Sequence, residues 1–112
     1  MKKDDYGFKK RQLLYKILKN LGKVTENDDL NKFGKLNETY TSLCKDLFGS
    51  HTPSGTEGWD WDIARNYLTY VSQYKNFYMH DRIKKEEYDS KVEEYWGKYL
   101  KMLEKLKKVY LR

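Results

Sequence analysis

Apolar residues in this chain recur in steps of three and four and nowhere alternate over a strand's length, which predicts four helices and no sheet. The first runs from about Asp5 to Leu21, with Leu13, Leu14, Ile17, Leu18 and Leu21 on one face and Gly22 as its C′ stop. The second begins near Thr25, read as a cap with Asp28 three residues on. It carries Phe33, Leu36, Tyr40, Leu43 and Leu47 and ends at Gly49. Gly34 leaves two readings open. It is an interior glycine of one helix, costing about 1 kcal/mol against Ala, or the turn between two short helices. The third helix, about Asp60 to His80, places Ala64, Tyr67, Val71, Tyr74 and Tyr78 on one seam. Asp81 and Arg82 read as a tight turn. The last helix, about Lys84 to Leu111, has Tyr88, Val92, Tyr95, Tyr99, Met102, Leu106 and Val109 as its seam, with Leu100 and Leu111 outside it.

Residues 49–59 hold three glycines and the only proline, and form the one loop-like tract. Short connections favour antiparallel neighbours, so the expected fold is all-α: a compact antiparallel four-helix bundle in a single domain spanning residues 1–112. In an up-down bundle the first and last helices are adjacent. Leu, Ile, Val and Phe total 24 of 112 residues. That is just above the level of about 20% below which a highly charged chain stays disordered. Eleven Tyr and three Trp supply the missing apolar area, predicting an aromatic core with tyrosine hydroxyls at its edge.

Charge changes this picture most. The net charge is +6, but it is segregated. Residues 1–25 carry eight basic and two acidic side chains, residues 97–112 six and one, and the middle nine and fourteen. Lys9, Lys16, Lys19 and Lys23 align opposite the apolar face of the first helix, and Lys98, Lys101, Lys105, Lys108 and Arg112 form a row on the last. With those two helices adjacent, the rows are expected to merge. Such rows can track phosphates or steer an acidic protein surface into contact. They also have a plain explanation, since acids at the start and lysines at the end of the last helix suit its dipole.

The stretch Leu30-Asn-Lys-Phe-Gly-Lys-Leu-Asn-Glu-Thr-Tyr-Thr-Ser-Leu resembles a helix-turn-helix, with Gly34 at the turn and Tyr40 and Leu43 packing the recognition helix. It departs from that pattern at Leu30, where a small residue is usual, and at Lys35, where an apolar one is. The resemblance implies that Lys35, Asn37, Glu38, Thr41 and Ser42 would face a groove. The competing reading is one continuous amphipathic helix.

Glu57, Trp59, Asp60, Trp61 and Asp62 gather carboxylates and indoles at a helix start. They read as dipole-favoured acids with two bundle-end anchors, or as a protein-binding hot spot built on Trp59, Trp61 and the 49–59 loop. No nucleophile, phosphate cradle or metal-ligand spacing accompanies them, so no enzymatic activity, metal or cofactor is expected. Cys44, beside Leu43 and Leu47, reads as a buried thiol. His51 and His80 have no catalytic partner at recognisable spacing. A single Cys excludes an internal disulfide and suits a reducing, cytoplasmic setting, and no apolar run reaches membrane-spanning length. No secretory signal follows Met1.

The function these features suggest is a small non-catalytic binding protein. It would be a regulator or inhibitor docking on a nucleic acid or nucleoprotein complex by its lysine rows, in the manner of phage or mobile-element inhibitors of the anti-CRISPR type. The alternative is a cytoplasmic protein-interaction module, immunity-like or adaptor-like, engaging a partner through Trp59 and Trp61. A homodimer is compatible with either.

Overall fold

The computed structural model describes residues 5–27, 29–49 and 55–111. Four helices follow one another: α1 (Asp5–Glu26), α2 (Leu30–Phe48), α3 (Thr56–Met79) and α4 (Lys85–Tyr110). They form an all-α bundle measuring 55 × 25 × 23 Å.

The ends of these helices correct the local reading in three places, one of them at α3, which begins at Thr56 and so makes residues 56–59 of the expected loop helical. Gly22 does not stop α1, which continues through it to Glu26. Thr25 caps nothing ahead of it. It lies buried in the last turn of α1 and donates its hydroxyl to the Leu21 carbonyl at 2.8 Å. The cap of α2 is Asp29, whose carboxylate accepts from the Lys32 amide at 3.1 Å. Asp28 lies outside the described residues. Beyond α2, Gly49 adopts φ 86° and its amide bonds the Lys45 carbonyl, a left-handed cap that glycine adopts without strain. Asp81 does the same after α3 at φ 57°, with the Arg82 amide reaching back to the Phe77 carbonyl at 2.8 Å.

Gly34 is interior to α2, which runs unbroken from Leu30 to Phe48. The helix-turn-helix reading therefore fails. Asn37 and Thr41, assigned to a groove, instead accept hydrogen bonds from Arg65 of α3.

Cross-pairs fix the topology. Lys10 meets Asp46, so α2 runs back along α1. Arg11 meets Glu57 at one end and Lys75 meets the Thr25 carbonyl at the other, so α3 runs parallel to α1. Asp60 meets Tyr110 while Tyr78 stacks on Tyr88, so α4 returns along α3. The up-down order is thus the expected one. The bundle is flattened: α1 and α3 touch across its short diagonal, whereas α2 and α4 do not meet.

Leu14, Leu18, Leu21, Tyr40, Trp61, Ala64, Leu68, Tyr99 and Leu106 form the core. Burying each large apolar side chain contributes roughly 1.5–3 kcal/mol. The aromatic members keep their polar atoms paired. Tyr40 donates to the Trp61 carbonyl at 2.6 Å, and Tyr99 to the Leu18 carbonyl at 2.9 Å.

Candidate functional site

The α1 lysines project from the arc opposite the leucines. Lys9, Lys16, Lys19 and Lys23 are all exposed. Among the described residues none of them has a carboxylate partner; Lys19 alone rests over a ring, that of Tyr15 at 5.8 Å. The sequence explains this, since no acid occurs between Asp5 and Glu26. Like charges three and four apart on a helix cost about 0.2–0.5 kcal/mol per pair, so this row carries uncompensated repulsion.

The α4 row is different. Lys98, Lys101, Lys105 and Lys108 are exposed, but Lys98 pairs with Glu94 at 3.2 Å and Lys105 with Asp60 at 3.1 Å. The hydrogen bond from Lys98 lowers the Glu94 carboxyl below its usual range. Arg112 lies outside the described residues.

By helix geometry the described members of the two rows fall on different sides of α4. On α4, Tyr99 faces α1, and at about 100° per residue Lys98 and Lys105 fall on the far side of the α3-facing edge. On α1, the row begins beyond the Gly22–Tyr15 edge that meets α4. The outer face of α4, carrying exposed Leu100 and Glu104, separates them. By helix geometry exposed Lys107 falls on the α1 side of that face. Charge spacing misses it, and its position one step past Leu106 is the sole signal for it in the sequence.

The Trp59–Asp62 cluster divides sharply. Trp61 is fully buried, so it is a core residue and cannot be a contact for a partner. Trp59, 54% exposed, remains available. Positions two apart lie about 200° apart on a helix, which turns one indole inward and the other out. Residues 50–54 of the proposed hot-spot loop, His51 among them, lie outside the described residues.

Each neighbouring carboxylate is held by the bundle. Glu57 receives the Arg11 guanidinium at 2.6 and 3.0 Å and the Trp61 indole N–H at 3.2 Å. Asp60 accepts from the Tyr110 hydroxyl at 2.8 Å and from Lys105. Asp62 pairs with Arg65, which also binds Asn37 and Thr41. These are structural clamps between helices.

A line of exposed apolar residues runs along the outer side of α3. Trp59, Ile63 and Tyr70 (54%, 38% and 40% exposed) share one face within about 40°. Inside that line, Tyr95 of α4 stacks on Tyr67 and Tyr74 and meets Tyr70 at 5.0 Å, with the Lys98 ammonium 5.5 Å from the Tyr95 centroid. The α4 lysine row therefore borders the α3 apolar line, on the side of the bundle away from α1.

Cys44 is buried, and burial pushes its thiol up to about 12. His80 is exposed and its amide closes the end of α3. A cleft of about 200 Å³ opens between the end of α1 and the end of α3, lined by Val24, Phe33, Lys75 and Met79 among others. Lys75 there donates to the Thr25 carbonyl at 2.8 Å, capping α1. Among the described residues no cluster of His, Cys, Asp and Glu could hold a metal ion, and no described helix is long and apolar enough to cross a membrane. Compared with known proteins, the chain matches no family model, no curated protein and no solved structure.

Proposed function

We propose that this chain is a non-catalytic binding protein whose α1 lysine row docks on a nucleic acid, free or within a nucleoprotein assembly, and that it regulates or inhibits by occupying that surface. The observation that carries this reading is the uncompensated charge of Lys9, Lys16, Lys19 and Lys23, exposed on one face with no carboxylate partner among the described residues. A protein gains nothing in stability from such a row, and a polyanion relieves its repulsion. From Lys9 to Lys23 the row spans about 21 Å, the length of about six phosphates along one strand. Lysines act there as point charges, so the affinity is largely independent of sequence.

The test is binding of labelled duplex and single-stranded oligonucleotides, followed by fluorescence anisotropy between about 50 and 200 mM salt. Affinity falls steeply across that range, and Lys16→Glu with Lys19→Glu reduces the log–log salt slope by about 1 for each lysine–phosphate pair removed. Binding that is unaltered by those two changes, or no binding at low salt, overturns the reading.

A further inference from the structure

The α3–α4 face lies at the other end of the short diagonal from the α1 lysine row, and its composition is different. Trp59, Ile63 and Tyr70 run along it for about 16 Å, and Val109 of α4 adds a fourth exposed apolar group, 54% exposed. Single apolar residues on a surface need no explanation, but a line of them on one helix face does. Along one edge of the line stand Lys98, Lys101, Lys105 and Lys108. Lys101 and Lys108 have no carboxylate partner among the described residues.

We propose that this face is the docking site for an acidic amphipathic helix of a protein partner. The straight apolar line beside α4 is a ridge against which an amphipathic helix packs its apolar residues at i, i+4 and i+7. Trp59 supplies the large anchor such interfaces favour, and the flanking lysines select carboxylates on the partner's exposed edge. The charge argues against a second copy of this chain, which carries the same +6. Nucleic acid is the poorer fit on this side. Two of the exposed groups are aliphatic, and Tyr95 is already stacked against both Tyr67 and Tyr74.

The experiment titrates the full chain with a synthetic peptide carrying leucines at helical spacing and glutamates beside them, following amide and indole chemical shifts. A shuffled peptide of the same composition and a single-stranded oligonucleotide serve as separate probes. The patterned peptide moves the Trp59 indole and the amides of Ile63, Tyr70, Lys98 and Lys101. The shuffled peptide binds about tenfold more weakly or worse. Trp59→Ala combined with Ile63→Ala keeps the helical content, because both side chains are exposed, and lowers affinity by about tenfold or more. Lys101→Glu with Lys108→Glu weakens the same peptide. Lys16→Glu with Lys19→Glu leaves peptide binding unchanged, which separates this site from the nucleic-acid reading of α1. Equal binding of the shuffled peptide, shifts confined to α1, an oligonucleotide that moves the Trp59 indole, or concentration-dependent dimerisation abolished by Trp59→Ala overturns the proposal.

Discussion

The Tyr99 hydroxyl of α4 lies against the backbone of α1 at Gly22 and donates to the Leu18 carbonyl at 2.9 Å. Leu18 is four residues before Gly22, so its carbonyl points along the helix at that position, and only a residue without Cβ leaves the path open. A Cβ there would come within 2.9 Å of the Tyr99 Cζ and closer still to its hydroxyl.

Gly22→Ala is therefore expected to destabilise the fold by about 1–3 kcal/mol, outweighing the helix propensity that alanine adds. Removing the hydroxyl with Tyr99→Phe costs about 1 kcal/mol alone. In the double variant the penalty at position 22 shrinks, because the atom nearest the new methyl is gone. Urea denaturation of the four proteins gives the coupling directly. Additive losses would show that the two residues do not touch.

Gly34→Ala should act in the opposite direction. Nothing lies within 4 Å of a Cβ built at this site, and its position is interior to an unbroken α2. A gain of roughly 0.5–1 kcal/mol in urea midpoint analysis is expected. A loss would indicate a turn at this position.

Asp60 and Lys105 are partners of unequal weight. Asp60 is buried and accepts from the Tyr110 hydroxyl, whereas the Lys105 side chain is half exposed. Asp60→Ala leaves the partly buried Tyr110 hydroxyl without its acceptor and costs about 1–3 kcal/mol. Lys105→Ala costs less than about 1 kcal/mol, as exposed ion pairs do. Thermal melts of the two variants rank them.

Cys44 sets an alkaline limit. Its thiol ionises near 9 when unfolded and only near about 12 in the bundle, because burial disfavours the thiolate. Between those values the unfolded chain binds fewer protons, so the stability this thiol contributes is fully present below pH 9 and declines as pH rises towards 12. In the native state iodoacetamide reacts with this thiol only through opening of the structure. Its labelling rate should follow denaturant, and rapid labelling at neutral pH without denaturant would show the thiol to be accessible.

Much of the bundle is legible in the sequence because α1 and α4 repeat their apolar residues at helical spacing, and Leu14, Leu18, Leu21, Tyr99 and Leu106 are core residues for that reason. The buried side of α3 is less so. Its true seam is Trp61, Ala64, Leu68 and Val71, at steps of three, four and three, whereas the tyrosines at 67, 74 and 78 form a competing line at the same period. Periodicity cannot choose between two such lines when tyrosine suits either an edge or a core. Gly22 misleads because a glycine after a leucine face signals a helix stop, while the group that explains it is 77 positions later. That the lysines are exposed follows from their pattern. That they form two separate rows depends on which side of α4 meets α1, and charge spacing holds no record of that.

The molecule is two helical hairpins, α1 with α2 and α3 with α4, and the seam between them is crossed by directional bonds. Tyr99 reaches Leu18, Tyr40 reaches Trp61, Arg11 clasps Glu57, Arg65 holds Asn37 and Lys75 caps Thr25. Leucine against leucine would let one hairpin slide past the other by a turn at little cost, but every one of these bonds breaks if it does. The joint is keyed, and its teeth leave this sequence a single alignment in which to close.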